Sequence, residues 1–186
     1  MTPAADLTFP HAWQADILPA RPLILPPRHY TYPREVEEIE RGALEIMVRP
    51  SAAAPFLATC ALGFADPAAP SGLWSCPSPD DLCAVSGGYA YLVNTAAPQQ
   101  FTHLPLRPVL EVRPLPAHRL LLFAASYSLL AWGPHGLAWQ TARLSSEGLR
   151  ISEIRGDTLH GFGWDLISDR EVPFTVNLRS GQREIP

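Results

Sequence analysis

Ala84-Val85-Ser86-Gly87-Gly88 comes nearest in this chain to an enzyme's nucleophile. A serine beside glycines is reactive where a strand turns sharply into a helix and lifts the hydroxyl clear of the backbone. Tyr89-Ala90-Tyr91-Leu92-Val93 follows instead and reads as a second strand, so the two glycines read as a hairpin turn. A hydrolase would have to assemble Ser86 with His103 and a loop aspartate such as Asp81. The six histidines, His11, His29, His103, His118, His135 and His160, stand singly, without the short intervals of a zinc site, and no metal or cofactor is expected. Asp80-Asp81 and the pair Asp165 and Asp169 lack the rhythm of a calcium loop and read as turn residues that bond nearby backbone amides. Tryptophan is the more suggestive type. Trp132 and Trp139 flank the turn Gly133-Pro134-His135-Gly136, and a tryptophan exposed at a loop end anchors a protein or a sugar, whereas a buried one packs the fold. Trp132, His135 and Trp139 are the candidate binding residues.

These residues need strands to hold them. Leu82 to Ser86, Tyr89 to Asn94 and Gln100 to Leu104 form one antiparallel unit, and Pro108 to Arg113 opens the next. In that second unit Arg119 to Ala125 and Ser128 to Trp132 make the hairpin, and Leu137 to Ala142 is the last strand. A third unit runs from Leu149 to Arg155 through Leu159 to Trp164 and Pro173 to Leu178, with a turn at Arg179-Ser180-Gly181 and a short tail. Three or four short strands recur at roughly 40 residues per period, the spacing of propeller blades. The predicted fold is therefore all-β, a propeller-like array of about three antiparallel units, with an irregular β-sandwich as the alternative.

Thr175-Val176-Asn177-Leu178-Arg179-Ser180-Gly181-Gln182 resembles the strand end and tight turn of WD-repeat propellers, with Asn177 where that pattern has Asp. Gly136-Leu137-Ala138-Trp139-Gln140-Thr141 is similar to the turn of quinoprotein-type repeats. Trp164-Asp165 supplies a literal Trp-Asp pair, yet it precedes the loop Leu166 to Arg170. The Gly-His found upstream in WD repeats is missing, so their Asp-His-Ser/Thr-Trp network does not carry over. This resemblance covers about the C-terminal half and implies a binding platform.

The first 33 residues read differently. Pro10, Pro19, Pro22, Pro26, Pro27 and Pro33 cannot donate to a ladder, which predicts an extended arm, while Trp13, Ile17, Leu18, Leu23, Ile24, Leu25 and Tyr30 predict that it lies across the body. Arg34 to Gly42 reads as a short helix, with acids early and Gly42 at its end. Strands follow at Leu44 to Arg49, Phe56 to Phe64 and Gly72 to Cys76. One domain of 186 residues accounts for the whole chain, with an arm over 1–33, a short helix and irregular strands over 34–81, and the repeats over 82–186.

Fourteen basic residues, all arginine, against eighteen acids give a net charge of −4. The arginines are scattered, so nucleic acid is not the expected partner. The acidic run Glu35 to Glu40 reads as a solvated face or as a lure for a basic partner. No apolar run reaches a membrane span, no secretory pattern opens the chain, and Cys60, Cys76 and Cys83 are an odd count. Together these predict a cytoplasmic protein with reduced thiols, a Cys76–Cys83 pair being the alternative for an exported one. The leading expectation is a non-catalytic domain that binds another protein or itself. The alternatives are the hydrolase at Ser86 and His103, and a small antagonist of a toxin.

Overall fold

A computed structural model describes residues 3–34, 36–64 and 69–184, excluding the side chains of residues 36–38. The arm is not free of ladders. It contributes β1 (Ala4–Asp6), β2 (Trp13–Leu18) and β3 (His29–Tyr32). Pro10, Pro19, Pro22, Pro26, Pro27 and Pro33 all fall between or beyond these strands, as the missing N–H requires. The predicted helix is a 3₁₀ segment, Val36–Arg41, closed by Gly42 at φ +110°. Glu35 and the side chains of Glu37 and Glu38 lie outside the described residues.

Beyond it the chain lays down β4 (Ala43–Pro50), β5 (Phe56–Ala61), β6 (Gly72–Ser75), β7 (Asp81–Ser86), β8 (Tyr89–Asn94) and β9 (Phe101–His103). Next come β10 (Glu111–Leu115), β11 (Leu120–Ala124), β12 (Leu129–Gly133) and β13 (Gly136–Gln140). The last four are β14 (Leu149–Arg155), β15 (Thr158–Asp165), β16 (Arg170–Asn177) and β17 (Arg183–Glu184). They form four sheets, none closed on itself. The first has the order β2-β4-β5-β3, the second β1-β6-β7-β8-β9, the third β10 to β13 and the fourth β14 to β17, each of the last two a simple meander. β6 to β9 make the same meander in the second sheet. β1 and β3 are added in parallel to β6 and β5.

Each pair of successive sheets shares one apolar core. Ile46, Val48 and Phe56 of the first sheet meet Leu82, Ala84, Tyr91 and Val93 of the second. On the other face of the second sheet, Cys83, Val85 and Leu92 meet Leu121, Phe123, Leu130 and Trp132 of the third. Leu122, Leu129 and Trp139 then meet Ile151, Leu159, Phe174 and Val176 of the fourth.

This order explains the sequence pattern strand by strand. Sheets two and three have a core on both faces, so β11 (Leu-Leu-Leu-Phe-Ala) and β12 (Leu-Leu-Ala-Trp-Gly) are buried throughout and read as unbroken apolar runs. The fourth sheet has a core on one face only, and β15 and β16 alternate. Gly87 and Gly88, at φ +54° and +79°, make the two-residue turn between β7 and β8, a backbone shape that only glycine adopts cheaply at both positions. Cys60, Cys76 and Cys83 are free and fully buried, so the structure holds no Cys76–Cys83 bond. Among the described residues no helix is long and apolar enough to cross a membrane.

Candidate functional site

Alternating turns put the β8–β9 connection, the β10–β11 and β12–β13 turns, and the β14–β15 and β16–β17 turns at one end of their sheets. Three clefts open there, one at each seam. His29 to Tyr32 and Arg34 face Pro98 and Gln99 across the first seam. Asp81, Asn94, Gln100 and Thr102 face Trp132 and His135 across the second, in a cavity of about 390 Å³. His118 and Trp139 face Asp157, Leu178 and Arg179 across the third, in about 300 Å³.

The turn singled out in the sequence straddles two seams. Trp132 and Trp139 lie on opposite faces of the third sheet, 8% and 7% exposed, and only His135 stands in solvent. Trp139 is an internal strut: its indole N–H donates to the Leu178 carbonyl at 2.6 Å, and Gly181 packs against its ring. Trp132 forms part of the wall of the second cleft, and its buried indole N–H has no hydrogen-bond partner among the described residues. An unsatisfied buried donor costs about 1–3 kcal/mol.

Asp81 stands across that cleft from Trp132. It opens β7 on the face that also carries Cys83 and Val85, and it pairs with Asn94 at the end of β8. Asn94 Nδ2 donates to its carboxylate at 3.2 Å. Burial pushes the Asp81 carboxyl above the usual carboxylate range, Asp80 beside it pushes the same way, and bonds from Asn94 and Ser78 pull back. No cation pairs with it among the described residues. A half-buried carboxylate, an indole N–H without a partner among the described residues and the amides of Asn94 and Gln100 thus line one cleft at the strand ends.

Ser86, His103 and Asp81 are not brought together. Ser86 and Asp81 sit at opposite ends of β7 and on opposite faces, Ser86 toward the first core with Leu82 and Ala84, and its hydroxyl is fully buried. His103 pairs with Tyr91 and stacks on its ring at 4.6 Å. Arg107 donates to His103 Nδ1 at 3.0 Å, which leaves the ring proton on a buried Nε2 without a partner. Burial and then Arg107 lower its pKa to about 4. Such a histidine is neutral and half-buried.

Of the turn aspartates Asp165 behaves as read from the sequence, whereas Asp81, read as a loop residue, opens strand β7 and accepts from the Asn94 side chain. Asp165 accepts from the Ser168 amide at 3.0 Å and from its hydroxyl, closing the β15–β16 turn. No three His, Cys, Asp or Glu side chains among the described residues gather as metal ligands. Sequence reasoning missed Asp81 and Asn94 as partners of the Trp132 turn, because that proximity exists only once two sheets stack. Searches with the sequence match no protein-family model and no curated protein.

Proposed function

We propose that this chain is a non-catalytic binding domain of the cytoplasm, built as a row of blade-like units that offers the cleft end of its sheets to a partner protein. The observation that carries this reading is the alignment of three clefts, one per seam, at one end, each lined by side chains from two sheets, while a smaller cleft along Arg143 to Ser146 and Trp164 lies elsewhere. Strands buried on both faces hold that end rigid, and turns displayed by a rigid array are where recognition residues concentrate. The meander repeated from Gly72, Glu111 and Leu149 supports a blade-like reading of sheets two to four, in keeping with the resemblance of the C-terminal half to WD-repeat and quinoprotein-type blades. Three buried, reduced thiols accord with a cytoplasmic setting.

Photo-crosslinking tests the reading. A photoreactive residue is placed either at His135, at the cleft end, or at Ile167, which is 97% exposed on the β15–β16 turn at the opposite end of the fourth sheet. One defined protein adduct is expected from position 135 in cells and none from 167. Adducts from 167 alone, or from neither, overturn the assignment.

A further inference from the structure

Resting on that reading, we propose that the second cleft receives a basic residue of the partner's polypeptide, its cationic head at Asp81 and a backbone carbonyl at the indole N–H of Trp132. Two separate deficits point to one ligand. Asp81 is half-buried, and its carboxyl meets only neutral donors and a second carboxylate. A desolvated carboxylate without a cation is a costly arrangement that an arriving guanidinium or ammonium relieves. Trp132 presents the opposite demand. It is nine-tenths buried in the same cleft wall, and its donor lacks an acceptor.

A bare metal ion meets the first deficit and not the second, and a carboxylate ligand meets the second while repelling Asp81. A basic residue within a peptide carries both a cation and a carbonyl, and Asn94 and Gln100 add amides that pair with backbone. None of the residues lining this cleft is an arginine, His135 is the one basic side chain among them, and the net charge of −4 favours the approach of such a guest.

The probes are N-acetyl-arginine amide, N-acetyl-lysine amide and the neutral isostere N-acetyl-citrulline amide. Each is titrated into the ¹⁵N-labelled full chain while the indole N–H resonances are followed, with Trp132→Phe assigning the relevant signal. The expected result is a saturable shift of the Trp132 resonance with arginine or lysine, and binding about tenfold weaker for citrulline, the worth of one charge-assisted hydrogen bond. Asp81→Asn should remove the preference for arginine over citrulline. In a His135→Ala chain, which removes the other titratable side chain lining the cleft, lowering the pH to protonate Asp81 should weaken arginine and leave citrulline unchanged, a readout that holds even where the Asp81 variant misfolds. Equal titration by arginine and citrulline, a preference unaffected by protonating Asp81, or no shift of the Trp132 resonance with arginine or lysine overturns the proposal. A crosslink from His135 obtained alongside such a result keeps the binding surface and removes only the cationic guest. Loss of both removes the site.

Discussion

His103 shows how one residue's surroundings set a measurable property of the whole chain. Its imidazole is held between Tyr89 and Tyr91 with Arg107 on Nδ1, and its pKa falls from 6.5 to about 4. A free histidine in the unfolded chain takes up a proton at a higher pH than the folded one does. The unfolded state therefore binds more protons between those two values, and stability falls as pH drops through that window. The contribution is fully present above about pH 6.5. Urea midpoints measured from neutral pH down to about 4 should decline in the native chain, and His103→Gln should flatten that part of the slope. An unchanged slope in a folded His103→Gln chain would place the acid sensitivity elsewhere. Trp139 gives a second test at this scale. Gly181, at φ +70°, would set a Cβ 2.7 Å from the Trp139 ring, so Gly181→Ala meets both backbone strain and overpacking. A loss of about 1–3 kcal/mol is expected by chemical denaturation, because the ring is fixed by its bond to the Leu178 carbonyl and has little room to yield.

Among the elements, the arm carries more of the fold than proline content implies. Phe9 is 5% exposed in the second core, its amide donates to the Ser75 hydroxyl oxygen at 2.8 Å, and β1 completes one edge of the second sheet. Removing residues 1–10 should therefore cost about 3 kcal/mol or more, the scale of deleting a buried phenylalanine. A thermal unfolding midpoint equal to that of the full chain would show the arm to be dispensable. The reason this role was only half legible is local. Trp13, Ile17 and Tyr30 announced burial, whereas Leu23 and Ile24, expected to lie on the body with them, stand exposed; β1, Ala-Ala-Asp, and β3, His-Tyr-Thr-Tyr, are too short to show a period and exist only because parallel partners in β6 and β5 lie far along the chain. By contrast β7, β8 and β11 to β16 were legible, because apolar runs or alternation stand between short turns, several of them bearing glycine. The cleft was not. Asp81 and His135 are separated by more than fifty residues, and their juxtaposition is decided by the stacking of the second sheet on the third.

At the scale of the molecule, a row of sheets must end twice, and each end meets a different solution. On the outer face of the first sheet Leu57, Thr59 and Glu45 are buried, Thr59 donating to Glu45 at 2.7 Å, and the 3₁₀ segment packs against β5. The outer face of the fourth sheet is covered by its own charges. Arg150 lies over the Phe162 ring at 4.7 Å and reaches Glu171 at 3.4 Å, and Arg155 pairs with Glu153 at 2.9 Å. Such exposed pairs add about 0–1 kcal/mol each, so their effect is to make the face wet instead of to hold the fold. Edges are treated similarly: β14 has a bulge between Ile151 and Glu153, β10 contains Pro114 and β16 contains Pro173, all features that oppose pairing with another chain. A polar terminal face is what keeps a stacked array soluble and finite. Although an unclosed row of sheets invites self-association, these guards predict a monomer by sedimentation equilibrium, and they leave the cleft end as the surface for a different protein. Replacing Arg150 and Arg155 together with leucine should then convert the chain to a self-associating form without lowering its urea midpoint by more than about 1 kcal/mol equivalent. A native chain that already sediments as a dimer, and whose mass is indifferent to both substitutions, would show that the fourth sheet's outer face is not the end of the array.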